Sequence, residues 1–278
     1  MPKIILSVIV PSYNIEKHIE ATLQSLERGQ HPQVEYILMD GGSQDGTMAI
    51  VERYAHVFSK IVSEPDEGQS DAFNKGYHMA RGHFITWVNS DDLLNASSLP
   101  KVVDYLEKTK SDWVVANSVY IDKEGLVIRC CRSGGFERVP VKLGLLNVFG
   151  PSTFVRKELY QKIGDFSKDF HFCMDTEYWW RIVKSGCRYE RVQCYFWGLR
   201  LHEDAKTAGV LMNNVTPPRM KEEGRIMHDC YYPNISAKTR KFGVWVARLY
   251  RIFNLSIFIS ILDTLRYKGK SFSSLESL

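Results

Sequence analysis

Two aspartates stand side by side at the end of a short apolar run, where Phe84-Ile85-Thr86-Trp87-Val88 leads into Asn89-Ser90-Asp91-Asp92. Uncompensated negative charge at the end of a buried strand is costly unless a cation or polar ligand meets it. A hard divalent cation, Mg²⁺ or Mn²⁺, held by one or two carboxylates and by substrate phosphates answers that need. Capping of the helix that follows is the structural alternative. A third carboxylate, Asp40, ends the apolar run Val34–Met39 and opens the turn Asp40-Gly41-Gly42-Ser43-Gln44-Asp45-Gly46-Thr47. Such a polar, glycine-rich turn lets backbone approach a ligand closely. A carboxylate there can accept a hydrogen bond from a nucleobase imide, and Tyr13, just past the first apolar run, offers a ring for stacking. Together these residues outline a nucleotide pocket.

The elements that must position them follow from hydrophobic periodicity. Ile4–Val10 is nearly all apolar and β-branched and is closed by Pro11, as in a strand buried on both faces of a parallel sheet. Ile15, Ile19, Leu23 and Leu26 recur at helical spacing, and the second strand, 34–39, follows. Helix 46–58, strand 60–63, helix 71–80 and strand 83–88 continue the alternation, which predicts a doubly wound α/β domain. The polar stretches 12–14, 40–45 and 89–92 then fall outside the carboxyl ends of three strands, where open α/β sheets bind ligands. Further on, 97–108, 157–164 and 175–185 read as helices and 113–121 as a strand turning through Asp122–Gly125 into 126–131. Residues up to about 220 read as loop, and 242–265 as one long amphipathic helix or a pair.

With 278 residues, 44% hydrophobic and 24% charged, the chain has enough apolar surface for a substantial core, which excludes intrinsic disorder. Uncharged runs such as Leu143–Val155 fall short of the ~20 residues of a membrane-spanning helix. The N-terminus lacks a secretory pattern, and the six cysteines form no CxxC pair, so the expected setting is a reducing cytoplasm with free thiols. The net charge of +4 divides unevenly, +7 over residues 238–270 and −3 elsewhere. The basic tail suggests an anionic surface as partner, such as the inner face of the cell membrane, or else packing on the domain or a second subunit. No nucleic-acid partner is expected.

The motifs resemble the family 2 glycosyltransferases of the GT-A fold, inverting enzymes that use nucleotide-sugars. Val8–Asn14 is similar to the family's opening strand and turn, and Asp40–Thr47 to its second motif. Glu64-Pro65-Asp66-Glu67-Gly68 with Asp71-Ala72-Phe73-Asn74-Lys75-Gly76 is similar to the third, and Asn89–Asp92 to its metal motif. Phe154–Tyr160, Ile163–Phe166 and Met174–Arg181 resemble the acceptor-side half, and Leu201–Thr207 the late histidine loop, so the likeness runs over residues 4–207. It implies a GT-A domain over 1–220, with a nucleotide-binding half to about 120, an acceptor half over 121–220 and a helical tail over 221–278.

By the same resemblance, Pro11, Tyr13, Asn14, Asp40, Asp71, Asn74, Lys75 and Asp91 would contact the nucleotide. Asp40 would bind the base and Asp91 the ribose or metal. Asp92 and His202 would hold Mn²⁺ or Mg²⁺, and Asp175 would be the general base. Glu177, Trp180 and Arg181 are acceptor or sugar candidates. Glu177 alternatively pairs with Arg181 one helical turn away, Trp179, Trp180 and Trp197 are core residues or sugar platforms, and His202 is a buried structural histidine or a ligand. The implied reaction moves one sugar, from UDP by the commonest family habit, to a glycan or lipid-linked glycan. Gly150-Pro151-Ser152 replaces the His-Gln pair common in the family, and acceptor identity is left open there. A non-catalytic nucleotide-sugar scaffold is the alternative, opposed by the joint presence of Asp40, Asp91, Asp92 and Asp175. A nucleotidyltransferase would place glycines after the first strand, where Pro11-Ser12-Tyr13-Asn14 has none.

Overall fold

A computed structural model describes residues 3–133, 138–146, 150–206, 209–210 and 215–275. Thr207, the end of the late histidine motif, lies outside them. Four parallel strands form the first half of a curled mixed sheet: β1 (Leu6–Ser12), β2 (Val34–Asp40), β3 (Lys60–Ser63) and β4 (Phe84–Trp87). Between them run α1 (Ile19–Arg28), α2 (Thr47–Arg53) and α3 (Gln69–Met79). The second half contains β5 (Leu93–Leu94), α4 (Leu99–Lys108), β6 (Trp113–Ile121), β7 (Val127–Cys131), α5 (Arg138–Lys142) and β8 (Thr153–Arg156). After these come α6 (Lys157–Ile163), α7 (Met174–Lys184) and β9 (Tyr189–Arg200). The strand order is β3-β2-β1-β4-β8-β6-β9-β5, with β7 on β6. β8 is antiparallel to both β4 and β6 and so joins the two halves. The chain ends in α8 (Pro218–Tyr231), α9 (Ala237–Phe253) and α10 (Ser256–Tyr267).

The alternating elements expected from periodicity are present, with two exceptions. β9, 12 residues long, lies in the stretch read as loop. Its pairing with β6 shifts register twice, between Val115 and Asn117 and between Asn117 and Ser118, so the bulged strand never shows clean two-residue alternation. Helix α8 runs across residue 220, where the domain was expected to end. Its few apolar residues give only a weak stripe, because its main buried side chains are Glu223 and Met227. The predicted amphipathic tail is the pair α9 and α10.

Each face of the sheet carries its own core. Ile19, Leu23 and Leu26 of α1 pack with Val8, Val10 and Leu38 on one side, and Phe73, Tyr77, Tyr178 and Trp179 pack with Ile9, Ile37 and Ile85 on the other. On the second side Trp179 is held between Trp87 (centroids 5.6 Å) and Trp113 (5.4 Å), both rings stacked on it. Asp175 is one turn before Trp179, so the stack fixes where the start of α7 lies. Trp179→Ala is expected to cost about 3–5 kcal/mol in urea unfolding. A loss under about 1 kcal/mol would show that the stack does not anchor α7.

Candidate active site

A cleft of about 1040 Å³ opens where β1, β2 and β4 end and meet the N-terminus of α7. Pro11, Tyr13, Gly41, Asp66, Asp91 and Asp175 all line it. Tyr13 is 62% exposed, which leaves its ring available to a ligand.

The two loops on the β1–β2 side are tied to each other. Asn14, at φ 45°, accepts from Gln44 N–H through Oδ1 (2.8 Å), and its own N–H donates to Ser43 Oγ. Asp40 is buried and accepts from the N–H groups of Gly42 and Ser43 and from the hydroxyls of Ser43 and Ser63. Both residues hold the loops, and neither is among the residues facing the cleft. The carboxylate that does face it is Asp66, which sequence reasoning missed. In the fold it packs on Gly41, where a Cβ would stand 2.7 Å from Asp66 Oδ2, so glycine makes room for the acid. Burial pushes the Asp66 carboxyl above its ordinary value, against the pull of the Gly68 N–H it accepts (2.8 Å).

The α3 residues expected at the nucleotide also make contacts within the protein. Asn74 accepts from Phe166 N–H and donates to Phe166 C=O, both at 2.9 Å, pinning α3 to the loop before α7. Asp71 pairs with Lys168 (2.6 Å) and Lys75, and Lys75 with Glu64 (2.9 Å). None of the three lines the cleft.

The paired aspartates divide sharply. Asp92 is 1% exposed and accepts from Trp197 Nε1–H (2.9 Å), Arg200 N–H (2.9 Å) and Asn89 Nδ2–H (2.8 Å). Burial, and the charge of Asp91 beside it, push its carboxyl well above the ordinary range. Both Asp92 oxygens accept from donors on β9 and on the turn after β4, so this expected metal ligand also ties those two segments together at the cleft wall. Asp91 turns the other way, its Oδ2 3.1 Å from His202 Nε2. The His202 ring lies 4.0 Å from that of His18, and His18 Nε2 is 3.6 Å from Asp204 Oδ2. His18, His202 and Asp204 each offer a ligand atom within 4.8 Å of the others. His202 Nδ1 and His18 Nε2 are buried and make no hydrogen bond among the described residues. Burial, with the charges of His202 and Arg200, lowers the pKa of His18, leaving a neutral imidazole with a lone pair to give. His18 was not legible in the sequence, because it falls between motifs in an ordinary helical entry.

At the far end, Asp175 accepts from Thr176 N–H (2.6 Å) and its hydroxyl. Burial raises its carboxyl above the ordinary value, and Thr176 and the nearby Lys206 ammonium pull it back. The strand of backbone before α7 is clamped from α8: Glu223, 3% exposed, accepts from the N–H groups of His171, Phe172 and Cys173 at 2.8, 2.8 and 2.9 Å. The acceptor candidates behind Asp175 are core residues. Glu177 is buried, paired with Arg181 (2.9 Å) and bonded by Tyr231 OH, while Arg181 also donates to Ile163 and Asp165 C=O. Trp180 is buried against Cys173, Met227 and Tyr232. Trp197 reaches the cleft wall with its indole N–H committed to Asp92.

A curled mixed sheet with a nucleotide-sized cleft at its strand ends, edged by acids, defines a GT-A fold. The sequence model for glycosyl transferase family 2 matches residues 7–175, and the chain belongs to that family. TuaG of Bacillus subtilis is 34% identical over 107 residues, covering 37% of this chain and 42% of TuaG. The poly(ribitol-phosphate) beta-N-acetylglucosaminyltransferase TarS of Staphylococcus aureus is 31% identical over 125 residues, 43% of this chain and 22% of TarS. The chain thus spans less than half the length of these two curated relatives. In structure it is similar to S. aureus TarS 1-349 in complex with UDP-GlcNAc (TM-score 0.63, 22% identity, 81% of this chain and 66% of that one). It is similar also to the mannosyltransferase PcManGT of Pyrobaculum calidifontis in complex with GDP-Man and Mn²⁺ (TM-score 0.57, 18% identity, 92% and 76%). At these identities the structural likeness concerns the fold.

The Glu223 clamp gives a direct test of how the α7 entry is held. Glu223→Gln would turn an amide donor toward backbone donors, so it should destabilise the protein by about 1–3 kcal/mol. It should also speed hydrogen exchange at the amides of 171–173 selectively. Unchanged exchange there would remove Glu223 from this role.

Proposed function

We propose that the chain is an inverting glycosyltransferase that moves one sugar from a nucleotide-sugar, UDP-linked by preference, to the hydroxyl of a glycan or lipid-linked glycan. One observation carries this reading: a single cleft is lined both by an acid at a strand end, Asp91, whose carboxylate meets His202 just behind the wall, and by a separate acid on a helix N-terminus, Asp175. Inversion requires that separation of roles, because the group that takes the acceptor proton must act apart from the leaving diphosphate.

In this reading the base stacks on Tyr13 and its imide donates to Asp66, whose half-buried carboxylate accepts from the Gly68 N–H alone among the hydrogen bonds of the described residues. Asp91 and His202, with His18 and Asp204 close by, are the residues that would hold a divalent cation. The buried, unpartnered imidazole nitrogens there fit such a group. Imidazole alongside carboxylate suits Mn²⁺ better than the oxygen-preferring Mg²⁺. A bound cation would supply Lewis-acid stabilisation of the departing diphosphate. Arg200 on the cleft wall adds fixed positive charge to the same region. Asp175 accepts the proton of the attacking hydroxyl, held at the mouth of α7 by the Glu223 clamp and the Trp179 stack. Lys206, also in the cleft wall, favours the ionised form of that carboxyl and offsets part of the rise that burial causes. The names of TarS and PcManGT support a nucleotide-sugar donor, and the acceptor class rests on the family likeness.

Asp175→Asn should leave nucleotide affinity near wild type and lower turnover by about 10²–10⁴. Near-normal turnover would move the proton acceptor elsewhere. The active form of Asp175 is the carboxylate, and burial raises its pKa, so at saturating metal the rate should fall on acidification from a point above the ordinary carboxyl range. Lys206→Met removes a cation that lowers this pKa and should move the acid limb to higher pH. A limb that moves down or stays put contradicts the pairing. Asp66→Asn should weaken UDP binding measured by calorimetry, whereas an unchanged affinity would exclude Asp66 from base recognition.

A further inference from the structure

Helix α10 presents its polar side inward and its apolar side outward. Its buried residues are Ser256, Ser260, Asp263 and Tyr267. Ser260 Oγ accepts from Arg132 N–H and Thr264 Oγ1 from Cys130 N–H, both at 3.0 Å, while Asp263 meets Arg132 (3.0 Å) and Tyr195 OH (2.6 Å). These bonds fasten α10 to β7. The other side exposes Phe258, Ile261, Leu262 and Leu265, the last at 73%. A helix facing water has the reverse arrangement.

Helix α9 follows the same rule. The residues it buries are the small Gly243 and Ala247, with Gly243 tight against Leu143, while Phe242, Trp245, Ile252 and Phe253 stand out from the surface. Between the helices the chain bends by 69°. The elbow holds Leu255 at φ 59°, a left-handed conformation uncommon for a branched apolar residue. At this elbow Phe253 is 81% and Leu255 56% exposed. Strained backbone and the most exposed phenylalanine therefore coincide at one protruding point.

We propose that the α9–α10 face docks in the interface of an anionic lipid bilayer, with the Phe253–Leu255 elbow inserted among the acyl chains. The charge on this face selects the occupant. Lys238, Arg240, Lys241, Arg248, Arg266, Lys268 and Lys270 are exposed around it, and its one acid, Asp263, is neutralised internally by Arg132. A two-fold contact between copies would bring these cations against one another, whereas anionic headgroups neutralise them. Trp245 lies one turn from Lys241 and beside Arg248, the aromatic and basic mixture that suits a headgroup boundary. Among the described residues no single helix is long and apolar enough to cross a membrane, and α9 and α10 reach that length only together, as a pair bent by 69°. The bonds that hold the polar side of α10 on the β7 end keep the pair on the surface of the domain, which favours docking in the plane. This surface goes beyond the reaction proposed above and does not depend on it.

The test is co-sedimentation of the full chain with vesicles of phosphatidylcholine alone and of equal parts phosphatidylcholine and phosphatidylglycerol. The protein should pellet with the anionic vesicles at low salt, release as salt is raised, and stay in solution with the neutral ones. Phe253→Ser with Leu255→Gly, the glycine suiting the left-handed position, should weaken binding by about tenfold or more. Lys241→Glu with Arg248→Glu should do the same, with helicity and UDP affinity unchanged in both variants. Failure to pellet with anionic vesicles overturns the proposal. So do equal pelleting with neutral vesicles, elbow variants that bind like wild type, and a dimer in light scattering that the elbow substitutions abolish without vesicle binding.

Discussion

The site depends on one buried carboxyl group. Asp92 is removed from water at the end of β4 and stabilised there by an indole N–H and a backbone N–H from β9 and by the amide of Asn89. A buried carboxyl group in such a position is tolerated only with hydrogen-bond partners, and removing one donor would leave an acceptor oxygen unpaired. Because two of the donors come from β9, the tie locks the end of the nucleotide-side strands to the exit of the last strand. That exit carries Arg200 and His202. Asp91, turned the opposite way from its neighbour, meets His202 because Asp92 has fixed both backbones.

The second half of the site is held by different physics. Large apolar rings do the anchoring, with Trp179 stacked between Trp87 of β4 and Trp113 of β6, while Glu223 gathers three consecutive backbone amides just ahead of Asp175. Helix α8, after the matched family region, is therefore part of the architecture around the proposed proton acceptor. The clamp orients backbone whose N–H groups would otherwise be unpaired at a helix entry.

Much of this was legible from the chain. Apolar β-branched runs and helical spacing gave the strands and helices of the first half, and the polar strand ends gave the cleft, because parallel sheets impose those patterns strongly. Side-chain direction was not legible. Asp91 and Asp92 are identical in type and adjacent, and only the bulged partner strand decides which is buried. Asp40, Asn14, Asn74 and Lys75 look like ligand residues in sequence because they are polar and near strand ends, and the loop and helix ties they also make are not readable there. Asp66 meets Gly41 only in the fold, so that contact could not be read from the chain. His18 and Glu223 lie far in sequence from the residues they serve, and no local pattern carries that information.

The central claim is that Asp92 builds the site while Asp91 and His202 hold the cation. Pulsed electron paramagnetic resonance of Mn²⁺ with UDP tests it directly. Wild-type protein should show ¹⁴N coupling from imidazole that disappears in His202→Ala, and Asp91→Asn should lose Mn²⁺ affinity. Folded Asp92→Asn should keep the nitrogen signal. Absence of any ¹⁴N coupling in the wild type, or its loss in folded Asp92→Asn with retention in Asp91→Asn, would contradict the account.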